Sequence, residues 1–579
     1  MEKMIAYFSM EVGLNARIPT YSGGLGILAG DTLRSAADLG LPVVAVTMLP
    51  NNGFFEQIIG KDGRQLEFYK PFFPQINDDF VPLSERVKIK IAGEDVSIRA
   101  WRYDIKGLSG HIVPVYFLDT NGENGNRPWK LGPEWPSGVK RTFDDITSHL
   151  YESNPQYKIA QQMVLGFGGF EMLKGLGIDV STYHMNEGHA AFLTLKLLQQ
   201  YGYDADRVKA KCVFTTHTPI PAGHDVFSYE YIDQLIDEHD RKDLWRYAGQ
   251  NEVNMTHLAM DLSRYINAVS PKHTKVSRAM FPNYAIDEIP NGVHHITWTA
   301  PEIQDVYDKY VPGWRRYPSK LSEFPETNQA LSELVTAQNK IQTRLFNEVR
   351  YATKNVVNLE PDRLTLGFAR RAAGYKRGDL IFKNIERLKR IGSNKLQIIM
   401  AGKAHPADQP GKDLIYRMNE GLSEISSEIK GAYLQGYDIE LGKLMTSGSK
   451  VWLNNPQRPL EASGTSGMKA ALNGRPSLSI VDGWWCEGLK EGITGWAIGN
   501  ESDPNDDGKD AEALHDKLEY ILNLRGPEFN RAVIGAIKHN GSYFNTYRMV
   551  MQYAKKAWLI DVPQIERSVQ NLEGRIMAA

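Results

Sequence analysis

The sequence predicts an α/β protein with two doubly wound domains that face each other across a central cleft. Along most of the chain, apolar β-branched runs alternate with longer amphipathic stretches, which is the pattern of parallel strands joined by helices. Two such regions are separated by residues 301–361, a stretch with little strand character. The length of 579 residues also exceeds what one hydrophobic core usually supports.

Seven short apolar runs are the clearest strand candidates. Each is apolar on both faces, as expected for a strand that is buried between layers of helices. The runs are residues 5–10, 42–49, 113–118, 211–217, 364–370, 396–402 and 450–455. The run at 364–370 begins the second α/β region.

Four amphipathic stretches are the clearest helix candidates, at residues 27–40, 190–202, 332–354 and 545–558. The third belongs to a helical connection that we predict at residues 301–361. We therefore expect three parts: an N-terminal Rossmann-like domain at 1–290, a C-terminal one at 291–555 and a helical tail at 556–579.

Composition argues against several classes of protein. The formal net charge is −2, whereas a general nucleic-acid-binding protein needs a basic face. No apolar run reaches the roughly 18–20 residues that a membrane span needs, and the N-terminus lacks the features of a secretory signal. The two cysteines, Cys212 and Cys486, do not suggest a disulfide framework. These features predict a cytoplasmic protein that binds neither nucleic acid nor membranes.

Residues 20–40, TYSGGLGILAGDTLRSAADLG, place Gly23, Gly24 and Gly26 between a strand and a helix. The free backbone N–H groups at such a helix N-terminus form a ready anion site. A tight turn without a ligand explains the glycines equally well. The stretch is neither G-x-G-x-x-G nor a P-loop, because its spacing differs and the P-loop lysine is missing.

A basic run, FARRAAGYKRGDL, follows the predicted strand at 364–370 and contains Arg370, Arg371, Lys376 and Arg377. Arginine grips phosphate through two hydrogen bonds, and lysine supplies a point charge. A solvated basic turn is the alternative, but the position at a strand end favours an anion site.

Residues 461–474, EASGTSGMKAALNG, hold a single lysine, Lys469, after small flexible residues. Its amine could hold a phosphate by charge, or it could bind the aldehyde of pyridoxal phosphate covalently. The local sequence alone favours an ordinary lysine on a helix.

Polar residues follow several predicted strands, in the segments HMNEGHAAF, TTHTPIPAGHD and IPNGVHHITW. A metal site is one interpretation of their histidines, but the spacing fits no standard zinc pattern and no cysteine cluster is present. We predict no metal site and favour hydrogen-bonded structural roles for His224, His294 and His295.

Eight motifs occur along the chain in one order: SME, SGGLG, NEGH, THT, PNG, RRxxxYKR, GKAHP and EASGTSGMKAALNG. In this order they resemble the α-glucan phosphorylase family, which comprises glycogen, starch and maltodextrin phosphorylases. The resemblance runs from about residue 5 to about residue 500 and implies the GT-B fold and the cofactor pyridoxal 5′-phosphate. The last motif is the most specific, because it resembles the family's cofactor-binding lysine loop.

The resemblance also implies roles for individual residues. Lys469 matches the lysine that binds the cofactor covalently, and Arg371 and Lys376 match cations that hold the substrate and cofactor phosphates; with His217 they form the implied catalytic set. Further cofactor contacts are implied for Gly24, Arg370, Tyr437, Gly464 and Thr465. Substrate contacts are implied for Glu11, Gly24, Leu25, His217, Asn291, Glu461, Ser463 and Gly464.

The implied reaction is phosphorolysis of an α-1,4-glucan by inorganic phosphate, which releases α-D-glucose 1-phosphate with retained configuration. A retaining glycosidase needs a close pair of carboxylates. Here phosphate is both proton donor and nucleophile, and the cofactor phosphate assists proton transfer. The resemblance further implies a homodimer. Because the first strand lies almost at the N-terminus, we expect a compact prokaryotic-type member without an N-terminal phosphorylation segment.

Two alternatives stay open. A GT-B nucleotide-sugar transferase of the glycogen-synthase kind also has a GGLG-type loop and a basic pair, but it has no use for the lysine loop. A glucan-binding relative without catalysis is disfavoured, because the matched cationic and cofactor positions are all occupied.

Overall fold

Two large β-sheets organise the computed structural model, which describes residues 3–121, 145–151 and 153–561. The strands are β1 (Met4–Ser9), β2 (Val43–Met48), β3 (Glu56–Ile59), β4 (Gln65–Phe68), β5 (Phe80–Ile91), β6 (Glu94–Lys106), β7 (Ile112–Asp119), β8 (Val180–Asn186), β9 (Cys212–Thr215), β10 (Val226–Ser228), β11 (Glu252–Asn254), β12 (Tyr265–Ala268), β13 (Ile286–Glu288), β14 (Leu364–Ala369), β15 (Leu396–Ala401), β16 (Lys430–Leu434), β17 (Val451–Asn454), β18 (Ser477–Ile480) and β19 (Gly495–Ile498).

The α-helices are α1 (Gly24–Asp38), α2 (Pro155–Met163), α3 (Gly169–Gly175), α4 (Leu193–Gln200), α5 (Ala205–Lys209), α6 (Tyr229–Leu235), α7 (Leu244–Ala248), α8 (Met255–Asp261), α9 (Pro271–Met280), α10 (His295–Trp298), α11 (Pro301–Tyr310), α12 (Asn328–Ala352), α13 (Ile385–Gly392), α14 (Gln409–Glu424), α15 (Ile439–Gly448), α16 (Ser466–Leu472), α17 (Trp485–Gly488), α18 (Asp507–Leu522), α19 (Gly526–Gly535) and α20 (Thr546–Lys556). π-Helical segments continue two of them, at Val164–Gly168 and Ala536–Gly541, and short 3-10 helices lie at Pro74–Ile76, Gly188–Ala190, Pro221–Gly223, Pro318–Glu323, Gly374–Lys376 and Leu380–Phe382. No helix of the described ranges combines the length and the apolar character that crossing a membrane requires.

The first sheet has nine strands in the order β13-β12-β9-β8-β1-β2-β7-β6-β5. The strands from β13 to β7 are parallel, and β6 and β5 extend the sheet as antiparallel strands. Successive residues of a strand point to opposite faces, so β1 supplies two cores. Ala6 and Phe8 pack in one core, and Ile5 and Tyr7 pack in the other.

The second sheet has six parallel strands in the order β16-β15-β14-β17-β18-β19. Its strand β15 is buried along its whole length. Ile398 and Met400 pack in one core, whereas Ile399 and Ala401 pack in another. Helices therefore cover both faces of this sheet, as in other parallel sheets.

All the strands and helices that the sequence predicted are present, with ends that differ by a few residues. Residues 301–361, all of them described, contain α11, a 3-10 helix and α12 and no strand, as predicted, whereas their role as a connection between two domains stays a prediction. The sequence missed the hairpin of β5 and β6. These strands lie at the edge of the sheet and carry charged residues among their apolar ones, so they lack the continuous apolar runs of the central strands.

The last described helix, α20, crosses back to the first sheet. Its residues Val550 and Tyr553 pack in the same core as Ile5 and Tyr7. The predicted division into domains at 1–290 and 291–555 stays a prediction. Most of the predicted tail, residues 562–579, lies outside the described residues.

Candidate functional site

A cavity of about 690 Å³ lies where loops of the two sheets meet. Its wall contains segments that follow the carboxyl ends of β1, β8 and β9 in the first sheet and of β14 and β17 in the second. Parallel strands end on one edge of their sheet, so the loops that follow them converge. All the residues to which the family resemblance assigned a catalytic, cofactor or substrate role line this cavity: Glu11, Gly24, Leu25, His217, Asn291, Arg370, Arg371, Lys376, Tyr437, Glu461, Ser463, Gly464, Thr465 and Lys469.

The amine of Lys469, on α16, rests on an aromatic ring. Its Nζ lies 3.6 Å from the centroid of the Trp298 ring. Burial lowers the pKa of Lys469 to about 8, and the charge of Asp31 acts in the opposite direction. Among the described residues, no carboxylate oxygen lies within ion-pair distance of this amine. A lysine that loses its proton this close to neutral pH is suited to attack an aldehyde.

Glu461 joins two of the predicted cations. Its Oε2 accepts hydrogen bonds of 2.6 Å from both Arg370 Nη2 and Lys376 Nζ, and its Oε1 accepts one of 2.8 Å from Lys376 Nζ. Burial alone would raise the pKa of Glu461, but the charges of Arg370 and Lys376 outweigh it and lower the pKa to about 2. Glu461 therefore stays ionised, and its one negative charge lies between the two positive charges of Arg370 and Lys376.

Arg371 and Arg377 lie in opposite surroundings. Arg371 is exposed and lines the cavity. Arg377 is buried away from it, with its Nη1 at 2.8 Å from Asp510 and 2.9 Å from Asp507, and its Nε donates to the carbonyl oxygen of Asn455. The anion-binding role expected of the basic run therefore does not extend to Arg377, because its donors already hold the second sheet's loops together.

The glycine loop of residues 22–26 lies against Glu11. The Oε2 of Glu11 accepts hydrogen bonds from the backbone N–H groups of Ser22 and Gly23, and its Oε1 accepts one of 3.1 Å from the hydroxyl of Tyr151. Helix α1 then begins at Gly24 without a side-chain cap. Glu11 thus fixes the turn and leaves the N-terminus of α1 for another partner.

Space around the loop differs between its glycines. A Cβ on Gly24 would meet nothing within 4 Å, so this position is open to the cavity. A Cβ on Gly26 would lie 2.8 Å from Tyr21 Cβ and 2.9 Å from Glu11 Oε2. Leu25 follows Gly24 in the same turn and also lines the cavity. The positive end of the α1 dipole therefore faces open space, where an anion is favoured.

His217 is held by its ring and by its backbone. Its Nε2 lies 2.7 Å from Asn186 Oδ1, an acceptor, so this nitrogen carries the ring proton. Glu187 accepts the backbone N–H of His217 and, at 3.0 Å, the hydroxyl of Thr218. Burial lowers the pKa of His217 to about 3, which keeps the ring neutral, and raises the pKa of Glu187 to about 7.

Five buried polar atoms of residues in the cavity wall have no hydrogen-bond partner among the described residues: His189 Nδ1, His224 Nε2, Asn291 Oδ1, Arg370 Nη1 and Ser463 Oγ. Buried polar atoms in proteins are nearly always hydrogen-bonded. Because all five belong to residues of one cavity, they indicate a ligand with several polar groups.

The turn before Lys469 completes the wall. Gly464 has a φ of +74°, a left-handed conformation that favours glycine, and Thr465 is the residue that precedes α16. Tyr437 follows β16 on the same side, and burial raises its pKa to about 12. The backbone of residues 464–466 is thereby brought to the cavity surface.

Sequence reasoning gave no role to several residues of this wall. Asp225 accepts hydrogen bonds from Lys158 and, at 2.6 Å, from Gln162, and His189 Nε2 lies 3.8 Å from it. Tyr151, Trp298, Lys403 and His405 also line the cavity. Three of them could have been found from the sequence. Lys403 and His405 belong to the GKAHP motif and Trp298 ends PNGVHHITW, and both motifs follow strands of the two sheets.

His224, His294 and His295 have hydrogen-bond partners within the fold, as predicted. These bond, respectively, to Thr256 Oγ1 at 2.8 Å, Asp38 Oδ2 at 2.9 Å and the carbonyl oxygen of Arg315 at 2.6 Å. A search of the described ranges finds no group of three or more His, Cys, Asp or Glu residues that could hold a metal ion.

The chain is similar to known proteins over most of its length. Residues 224–492 match the carbohydrate phosphorylase family. The maltodextrin phosphorylase of Thermococcus litoralis is 36% identical over 96% of this chain and 70% of its own length. The glycogen phosphorylase of Mycobacterium tuberculosis is 34% identical over 89% of this chain, which spans 64% of that relative. The glycogen phosphorylase of Aquifex aeolicus is 32% identical, with 96% of this chain and 86% of the relative covered.

Proposed function

Because the chain belongs to the carbohydrate phosphorylase family, we propose that it removes glucose from the non-reducing end of α-1,4-glucans with inorganic phosphate. The product is α-D-glucose 1-phosphate with retained configuration, and the glucan is maltodextrin, glycogen or starch. The names of its relatives, maltodextrin phosphorylase and glycogen phosphorylase, support a glycosyltransferase of this type.

One observation carries the proposal: a single cavity gathers the buried amine of Lys469 and the cations that follow β14 in the second sheet with the open N-terminus of α1, which follows β1 of the first sheet. We propose the GT-B arrangement on this basis, with Rossmann-like domains at 1–290 and 291–555 on either side of the cavity. A two-sided cavity suits a reaction in which a polymer and a small anion must meet.

The residues of the cavity fit pyridoxal 5′-phosphate. Lys469 would hold the aldehyde carbon, because its amine has no carboxylate partner in the described structure and its pKa lies near 8. Arg370, with an unpartnered Nη1, and the turn of Gly464 and Thr465 would hold the cofactor phosphate. When bound, the cofactor supplies a phosphate that exchanges a proton with the substrate phosphate.

The cations of the cavity oppose the repulsion between two phosphates. Two unit charges in contact repel by about 4 kcal/mol at an effective dielectric constant of about 20. Arg371 and the N-terminus of α1 at Gly24 face the open space, while Glu461 keeps Lys376 and Arg370 side by side. Arg371 forms no ion pair among the described residues, so we assign it to the incoming substrate phosphate.

The protein supplies no better acid than the substrate phosphate among its predicted site residues. Glu461 stays ionised because its pKa is about 2, and His217 has its Nε2 proton bonded to Asn186. Phosphate has a second pKa of about 6, close to working pH. It therefore gives its proton to the glycosidic oxygen as the bond to C1 breaks, and one of its oxygens then bonds to C1 from the same face.

The sugar is assigned to the polar atoms without partners. Asn291 Oδ1 accepts a hydrogen bond from a hydroxyl, and Ser463 Oγ both donates and accepts. Glu11, Leu25, His217 and Gly464 border the same space and complete the proposed sugar contacts.

The test is phosphorolysis of maltodextrins, recorded together with the absorbance of bound pyridoxal. We expect glucose 1-phosphate and a pyridoxal band from the native chain, and neither from Lys469→Ala. Lys403→Ala removes another cavity lysine, one that donates to the carbonyl oxygen of Phe55, and is expected to keep the band. A native chain without the band would favour the nucleotide-sugar transferase, and a band without product would favour a binding protein.

The resemblance also leads us to propose a cytoplasmic homodimer. Sedimentation equilibrium at graded concentration tests the assembly, and a monomer at all concentrations would refute it.

A further inference from the structure

A buried carboxylate accepts a hydrogen bond from the edge of the ring on which Lys469 rests. The indole Nε1 of Trp298 donates a hydrogen bond of 2.6 Å to Asp31 Oδ2. Asp31 lies on α1, is only 1% exposed, and also accepts from His294 N at 3.1 Å and Arg34 Nη1 at 3.2 Å. Three donors therefore hold this carboxylate in one position, and it in turn holds the plane of the indole.

The backbones of Trp298 and Lys469 are joined as well. The Nδ2 of Asn473 donates to the carbonyl oxygens of both residues, at 2.8 Å to Trp298 and 2.9 Å to Lys469. Its Oδ1 accepts the N–H of Ala300 at 2.8 Å. With the backbones tied, the remaining freedom of the indole is rotation about its side-chain bonds, and the hydrogen bond to Asp31 removes it.

We propose that Asp31 is a positioning residue for Lys469 and that it acts through the indole of Trp298. The inference rests on the proposed function in one respect, the identity of the aldehyde that Lys469 binds. Asp31 fixes the ring, and the ring's negative face directs the amine toward the cavity.

An indole face suits this task better than a carboxylate would. A carboxylate in contact with the amine would favour the protonated form and raise the pKa of Lys469, which would leave a poor nucleophile. The ring face attracts a cation more weakly. Asp31 does not contact the amine, and its charge raises the pKa of Lys469 by less than burial lowers it. Glu461 is paired with Arg370 and Lys376 instead.

The experiment measures bond formation at Lys469 rather than turnover. Pyridoxal 5′-phosphate is added to the full chain, the bound fraction is trapped with borohydride at timed intervals, and label on the Lys469 peptide is measured by mass spectrometry. The variants are Asp31→Leu, Trp298→Phe and the double variant. We expect each single change to slow labelling about tenfold and the double variant to be no slower than Trp298→Phe.

Two further variants serve as controls for the test. Ser35→Ala is the matched control: Ser35 lies one turn along α1, is also 1% exposed, and bonds to Thr546 instead of Trp298. It should label at the native rate. Asp31→Asn keeps an acceptor for the indole N–H and should label within about twofold of the native rate even if Asp31→Leu folds poorly. Additive slowing in the double variant, or Asp31→Asn as slow as Trp298→Phe, would overturn the proposal.

A second reaction separates this inference from the proposed function. Formaldehyde with cyanoborohydride methylates lysine amines without any cofactor, and Lys469 methylation can be followed on the same variants. The same non-additivity between Asp31 and Trp298 is expected. If the native chain never bound pyridoxal phosphate, the cofactor assignment would fail, while additive methylation effects would by themselves refute the role of Asp31.

Discussion

At the residue scale, Glu461 shows how the cavity prepares for its ligands. Its two oxygens hold Arg370 and Lys376 at 2.6–2.8 Å, so both cations are oriented before any phosphate arrives. Donors that are already in place need no reorganisation when charge develops near them. Under the proposed function, a phosphate that enters this cavity would meet cations that Glu461 already orients.

Replacing Glu461 tests this balance of charge. In Glu461→Gln, two buried cations lose the anion between them, and breaking a buried ion pair typically costs about 3 kcal/mol of unfolding free energy or more. Urea unfolding at neutral pH measures the loss. Glu386→Gln, on an exposed helix position with a 3.9 Å ion pair to Lys389, is the control and should change stability little.

The pH dependence of stability follows from the same carboxylate. The pKa of Glu461 is about 2 in the folded protein against an ordinary value of 4.5. Its stabilising contribution is therefore complete above pH 4.5 and is lost as the pH falls toward 2. We expect the native chain to lose stability more steeply than Glu461→Gln across this window, as measured by unfolding at graded pH. Parallel curves for the two proteins would contradict the shift.

Arg371 is expected to decide phosphate use. Charge-assisted hydrogen bonds contribute about 1.5–3 kcal/mol, so Arg371→Ala should raise KM for phosphate by at least about tenfold. KM for maltodextrin should change little, and Arg371→Lys, which keeps the charge but not the bidentate geometry, should fall between. Steady-state kinetics in both substrates would refute the role if phosphate KM and turnover stayed at native values.

At the element scale, two glycines at the N-terminus of α1 differ in the space around them. Gly24 faces the cavity, whereas Gly26 packs against Tyr21 and Glu11. Under the proposed function the first position would face a ligand, whereas the second is packed inside the fold, although both belong to one SGGLG motif.

Alanine at each position should therefore give different results. Gly26→Ala would bring a Cβ within 2.9 Å of Glu11 Oε2, and we expect a clear drop in the thermal unfolding midpoint. Gly24→Ala should keep the native midpoint and weaken phosphate and glucan binding, because its Cβ enters the cavity. Equal midpoints for the two variants, measured by calorimetry, would show that the loop has room at Gly26.

At the scale of the whole molecule, the hairpin of β3 and β4 ties the first half of the chain to the second. Gln57 and Gln65 are 3% and 5% exposed. Gln57 Nε2 donates to the carbonyl oxygen of Gly402 at 2.8 Å, and Gln65 Nε2 donates to that of Ala404 at 2.9 Å. The backbone N–H of Ala404 returns a bond of 3.0 Å to Gln65 Oε1. Buried hydrogen bonds of this kind fix one half against the other.

Gln65→Leu is expected to weaken this connection. It leaves the carbonyl and N–H of Ala404 without their partner, and each unsatisfied buried group costs about 1–3 kcal/mol. Arg64→Ala removes an ion pair of 3.4 Å to Asp413 from the same hairpin, but both side chains are about half exposed, so its effect should stay under about 1 kcal/mol. Chemical unfolding compares them, and equal effects would show that the buried bonds contribute no more than the surface pair.

The fold was predictable from the sequence wherever burial leaves a continuous apolar pattern. The central strands β1, β2 and β15 were found because both of their faces are buried. The edge strands β5 and β6 were missed because charged residues interrupt their apolar residues, which leaves a weaker signal. The candidate site followed from motifs at strand ends, since a parallel sheet brings those ends together.

The sequence alone determined the α/β class, the helices of residues 301–361 and fourteen of the residues that line the cavity, because these depend on local patterns and on the order of the motifs. Only the tertiary structure decided how those residues are paired. In the structure, Glu461 pairs with Arg370 and Lys376, and Arg377 pairs with Asp510. The ring of Trp298, which donates a hydrogen bond to Asp31, contacts the amine of Lys469. Such contacts join residues that lie far apart in the chain, and the packing of side chains sets them rather than any period in the sequence.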